Sequence, residues 1–158
     1  MAAFEPGMGE LARSVLAAAH HAALATREPE GAPFASLVTV ATDAGGAPLL
    51  LLSGLARHTR NIAADPRVAL LVAAPGENPM ASPRLTISGI AVRCEEPEAR
   101  ERFLAHHPAA NAYAGFADFA LWRLAPLEAH LVAGFGRIHD LPAVALAVNN
   151  DADPAAVR

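Results

Sequence analysis

The chain has 158 residues, of which 53% are hydrophobic, 18% charged and 5% aromatic, and its formal net charge is -4. That length fits a single domain, the apolar content excludes a disordered chain, and the acidic balance argues against broad nucleic-acid binding, which needs clustered cations on phosphates. A single cysteine, Cys94, excludes an internal disulfide framework and any cysteine-clustered metal or iron–sulfur site.

Much of the apolar fraction is alanine, 39 residues that each bury little area, so the core rests on Leu, Val, Ile and Phe. Such a core gains from further burial against a second copy, and a homodimer is expected. The opening MAAFEPGMGELARS has no basic stretch followed by an apolar one, and no apolar run reaches the ~18 residues of a membrane span. The expectation is a soluble, cytoplasmic protein without membrane contact.

In chain order, Gly9–Ala22 carries Leu11, Val15, Leu16 and Ala19 at helical spacing and predicts a first helix. Ala23–Thr26 is a short apolar piece closed by a Pro/Gly turn at residues 27–31. Phe34–Thr42 and Pro48–Ser53 read as two strands of a hairpin around Asp43-Ala44-Gly45-Gly46. Arg57–Ala64 predicts a short helix ended by Pro66. Val68–Ala74 and Arg84–Cys94 are strands on either side of a proline-rich loop, with Gly89 as a bulge or close backbone approach. Pro97–His106 is a third helix, and Phe116–Leu124 and Glu128–Gly134 are final strands separated by Ala125-Pro126. Short strands with few intervening helices indicate an antiparallel barrel with peripheral helices, mainly β, rather than a βαβ sheet.

The segment Ser53-Gly54-Leu55-Ala56-Arg57-His58-Thr59-Arg60-Asn61 passes from strand into helix and gathers two arginines, a histidine and two hydroxyls. Helix N-terminal N–H groups attract anions, and arginine forks match phosphate oxygens at ~1.5–3 kcal/mol per charge-assisted bond. The same residues would also make a capped helix start with solvated arginines, and spacing alone leaves both open. No Walker loop or dinucleotide fingerprint is present. His20-His21 and His106-His107 are adjacent pairs whose members diverge, so neither chelates a metal through helical i,i+4 geometry, and no metal site is expected.

The ordered set Gly31–Val38, Leu49–Ser53, Ala56–Asn61 and Asp65-Pro66-Arg67 resembles the pyridoxamine-phosphate-oxidase-like flavin-binding split barrel. Pro83–Gly89, His107-Pro108, Tyr113, Phe116–Phe119 and Gly134–Arg137 resemble its haem-utilisation branch. The resemblance implies a dimer of six-stranded split barrels, with residues 1–141 as the flavin-binding domain and 142–158 as a C-terminal tail. It also implies FMN in interface grooves. Arg57, His58, Thr59, Arg60 and Asn61 would then surround the phosphate, with Ser53 beside it or the ribityl chain. Ala35, Ser36 and Leu37 would place backbone groups along the isoalloxazine edge.

The oxidase itself has a lysine near the end of the strand that begins at Phe34, where this chain has Val40, which weighs against pyridoxamine-phosphate oxidation. Longer haem-utilisation members carry a further C-terminal domain that can supply a haem ligand, which weakens the expectation of haem degradation. The leading expectation is an FMN-binding oxidoreductase of unknown substrate. Its alternative is a haem-binding or haem-degrading protein, and a third reading is a cofactor-less ligand-binding barrel.

Overall fold

The ends of the sheet are neighbours in sequence. In the computed structural model, which describes residues 7–148, the elements are α1 (Met8–Ala18), β1 (His21–Arg27), β2 (Pro33–Thr39), β3 (Ala41–Thr42), β4 (Pro48–Ser53), α2 (Arg57–Ala64), β5 (Arg67–Ala73), β6 (Arg84–Arg93), α3 (Pro97–His106), β7 (Phe119–Gly134) and β8 (Arg137–Pro142). Short 3₁₀ turns follow at Pro108–Ala112 and Ala143–Leu146. All strands join one antiparallel sheet in the order β2-β1-β5-β6-β7-β4-β3, with β8 against β7.

Strands β2 and β3 stand at opposite ends of that order, yet only Val40 separates them in the chain, so the sheet curls until its ends meet. Val40 is fully buried; its N–H donates to His20 O at 3.1 Å, and its carbonyl accepts from His107 Nε2 at 2.7 Å. The single strand expected over Phe34–Thr42 is therefore broken at Val40, whose backbone groups bond outside the ladder. The turn at Asp43 forms as expected, with Ala47 N–H donating to Asp43 Oδ1 and Gly46 at φ +91°.

The first helix stops at Ala18, four residues before the expected Ala22, and β1 begins at His21. Alanine carries no periodic signal: Ala22 and Leu24 point inward and Ala23 and Ala25 outward, an alternation that small side chains hide in sequence. The strands expected at 116–124 and 128–134 are one continuous β7 that begins at Phe119, residues 116–118 forming a turn instead. Pro126 lies where the partner on one edge changes from β4, paired through Arg123, to β8, paired from Glu128. On the other edge Pro126 faces Gly89 across a register shift, with Leu127 as the extra residue. A proline lacks an N–H for the ladder, and bulges are where sheets tolerate it. The count is eight strands rather than six: the short apolar piece Ala23–Thr26 belongs to a full strand β1, Val40 splits off β3 and Arg137–Pro142 adds β8, while the last two expected strands merge into β7.

The barrel interior holds Leu24, Val38, Leu50, Leu52, Leu70, Leu85, Ile87, Leu124 and Leu131, closed by Ala12, Val15 and Leu16 of α1. Ala145 and Leu146, at the start of the expected tail, pack into that core; residues 149–158 of the tail lie outside the described residues. β4 is buried on both faces, its Leu49 and Leu51 joining Phe103, Ala99, Cys94 and Leu121 in a second core under α3. Cys94 is a buried free thiol. Among the described residues no helix is long and apolar enough to cross a membrane.

Candidate functional site

The strand-to-helix segment folds as the sequence predicts, with α2 over Arg57–Ala64 and Ala56 as its extended N-cap. Its side chains, however, have internal partners. Arg57 forms a 2.6 Å ion pair with Glu28 and lies over the Phe34 ring, 4.6 Å from its centroid. Asn61 is buried and donates to Thr26 Oγ1 at 3.0 Å, which ties α2 to β1. Ser53 Oγ donates to Asp118 Oδ2 at 2.7 Å and accepts the Leu55 N–H, so these two residues brace the entry to α2. Arg60 is exposed and reaches Leu55 O at 3.4 Å.

His58 Nδ1 and Ser36 Oγ share a 3.0 Å hydrogen bond, a contact sequence separation concealed. Burial lowers the His58 pKa and keeps its imidazole neutral near pH 7. Thr59 Oγ1 is buried and has no hydrogen-bond partner among the described residues. Of the three residues expected along a flavin ring, Ser36 thus points towards α2, while Ala35 and Leu37 alternate to the outer face.

That outer face is the more ligand-like surface. Ala23 pairs with Leu37 on one side and Leu71 on the other, and Ala25 with Ala35 and Ala69, so a patch of small apolar side chains spans β2, β1 and β5. Leu37 is 75% exposed and Leu71 46%. A groove of about 460 Å³ lies over the Ala23 end of this patch, lined by Ala23, Leu37, Leu71, Ala73, His20 and His21 among others. His21 begins β1 on the same face as Ala23, whereas the His20 ring stacks on His106 at 4.2 Å.

His20 and His21 part, one against α3 and one on the outer face of β1, but His106 and His107 do not diverge as expected: their ring centroids lie 4.9 Å apart, and His20 meets both. One ring nitrogen from each of His20, His106 and His107 lies within 4.8 Å of the others. The expectation of no metal-capable cluster is corrected by this cross-pair meeting, which depends on β1 and α3 being brought together across the Val40 seam. A pairwise reading along the chain has no access to it.

An antiparallel sheet curled on itself with helices at its rim is a split barrel. The profile of the pyridoxamine 5'-phosphate oxidase family matches residues 8–133, and the chain belongs to that family. It is 38% identical over 108 residues to the chloroplastic heme oxygenase HOZ of Arabidopsis thaliana, covering 66% of this chain and 33% of that protein. A solved heme binding protein from Mycobacterium smegmatis superposes with a TM-score of 0.84 at 38% identity, over 91% of this chain and 61% of that one. The heme storage protein HutZ of Vibrio cholerae shares the fold at TM-score 0.65 and 23% identity, over 84% and 96% of the two chains. The chain therefore spans about a third of its Arabidopsis relative and about three-fifths of the mycobacterial one.

Proposed function

We infer that this protein binds haem on the outer face of β1, β2 and β5, in place of an FMN held by its phosphate. The observation that carries the reading is the 38% identity to two proteins named for heme. The geometry supports it. A floor of alanines lets a planar macrocycle lie flat, Leu37 and Leu71 offer it apolar contact, and the His21 imidazole stands at the rim with a nitrogen suited to iron. Bound haem would supply redox and dioxygen chemistry at its iron, and the chain would supply position and shielding from water. A second copy laid on this face would cover Leu37 and Leu71 and close the groove, which makes the homodimer part of the same proposal.

The flavin reading keeps one observation in its favour, the buried, unpartnered Thr59 hydroxyl beside Arg57 and Arg60. Against it, the Arg57 guanidinium is held by the Glu28 carboxylate, which a flavin phosphate would have to displace.

Haemin and FMN titrations of the purified chain separate the two. The expected result is a Soret band saturating at one haem per chain, displaced in wavelength or weakened in His21→Ala, with FMN fluorescence unquenched. Loss of the Soret band on adding reductant in air would extend binding to haem degradation. Tight FMN binding without any Soret band would overturn the proposal, and light scattering that gives 16.3 kDa for the haem-loaded protein would remove the dimer from it.

A further inference from the structure

Three imidazoles meet where the barrel closes. His20 leaves the end of α1, His106 ends α3 and His107 follows it, and Val40 between β2 and β3 holds them together. Their ring centroids are 4.2, 4.9 and 5.7 Å apart. Three imidazoles on one tetrahedral zinc, at Zn–N bonds of ~2.0–2.1 Å, place their centroids about 5 Å apart. The triangle already has the size of one face of such a site.

The hydrogen bonds prepare two of the three rings. His106 Nε2 bonds Ala19 O at 2.8 Å and His107 Nε2 bonds Val40 O at 2.7 Å. A carbonyl oxygen only accepts, so both nitrogens carry the proton and each neutral ring keeps its lone pair on Nδ1. Ligating histidines almost always donate their other ring N–H to a carbonyl or carboxylate in this way, which fixes the tautomer and the ring plane. His20 is the exposed member, and rotation about its side-chain torsions tilts its ring out of the stack with His106. His106 also lines a cavity of about 380 Å³ with Ala17, Thr42 and Arg102, which leaves room for a water or a small anion as fourth ligand.

The geometry points to a divalent transition-metal site, zinc by preference, formed by His20 and by Nδ1 of His106 and of His107, with a non-protein fourth ligand. An all-imidazole set selects ions of the zinc, copper and nickel class over magnesium or calcium, which take oxygen ligands. The metal site shares His20 with the wall of the haem groove, but the imidazole assigned to haem is His21, and His106 and His107 lie outside that groove's lining.

The test uses the full chain after chelator treatment, titrated with Zn²⁺ by calorimetry and with Co²⁺ by visible absorption. One ion per chain is expected, with the intense d–d bands of four-coordinate cobalt. His20→Ala, at an exposed position, and His106→Gln, which retains an N–H donor, should each weaken binding by at least about tenfold. His21→Ala should leave it unchanged. No stoichiometric Zn²⁺ binding, or binding that survives both His20→Ala and His106→Gln, overturns the site. Binding lost in His21→Ala but kept in His20→Ala overturns it too and assigns the metal to the groove. Haemin titration of the same variants keeps the two proposals apart, since His106→Gln, outside the groove lining, should retain the Soret band whichever way the zinc result falls.

Discussion

Gly89→Ala tests the packing of the sheet at its tightest point. A Cβ at residue 89 would stand 2.3 Å from Ala125 O and 2.5 Å from Leu124 Cδ2. Leucine can rotate away, but a backbone carbonyl in the middle of β7 cannot. Relief requires β6 and β7 to part by roughly 1 Å, and overpacking of this kind costs ~1–3 kcal/mol, with a rigid backbone neighbour putting it near the top. Alanine also restricts the unfolded chain, which returns ~0.4–1 kcal/mol. The net loss expected is about 2–3 kcal/mol, or a Tm lower by roughly 4–12 °C for a chain of this size. Urea denaturation followed by Trp122 fluorescence measures it, because Trp122 lies on β7 opposite Arg93 of β6. Gly115→Ala, where a Cβ meets nothing within 4 Å, is the control and should stay within ~0.5 kcal/mol of the parent. A Gly89→Ala midpoint equally close to the parent would refute the close approach of β6 to the Ala125 carbonyl of β7.

Glu28→Gln removes the Arg57 ion pair, worth only ~0.2–1 kcal/mol at a partly exposed site, and should lower stability by no more than that in urea denaturation; a larger loss would give the pair a structural weight its exposure does not allow, and FMN quenching in the variant alone would identify Glu28 as what keeps a phosphate from Arg57. His58 is held neutral by burial, with a pKa below the ~6.5 of the unfolded chain, so the unfolded state binds more protons between those values. Its contribution to stability is complete above about pH 6.5 and lost as pH falls through the folded pKa. His107, lowered by burial and by its histidine neighbours, acts in the same direction. Urea midpoints at pH 7.5 and 5.5 should therefore fall less in His58→Gln than in the parent, and an equal fall in both would remove His58 as a cause.

The helices α2 and α3 are legible to the residue because charged and proline boundaries frame them: Arg57 after an extended Ala56, and Pro97 at the first turn. The hairpin around Asp43 is legible for the same reason, since its glycines mark it. Where alanine dominates, as at residues 17–25, burial leaves no periodic trace and the helix-to-strand change is invisible. Continuity of β7 through Pro126 is likewise hidden, because it depends on which strand lies opposite. The site shows the same division. Composition locates the arginine-rich start of α2, but the Glu28 carboxylate that occupies Arg57 comes from a different loop. The histidine cluster depends on contacts 86 and 87 residues apart along the chain, between His20 and the pair at 106 and 107.

Closure at Val40 also bears on how the protein keeps itself from polymerising. The unpaired border of a sheet is a template on which another chain can add a strand. Here the curl brings β2 against β4, so the two ends of the strand order shelter each other. Among the described residues β8 pairs on one side only, with β7. It carries Arg137, His139, Asp140 and a final Pro142, and mixed charge with a missing N–H makes a poor template. The apolar face over Leu37 and Leu71 can thus stay sticky enough to take a planar ligand or a second copy, while the edge that would propagate a fibre is kept polar.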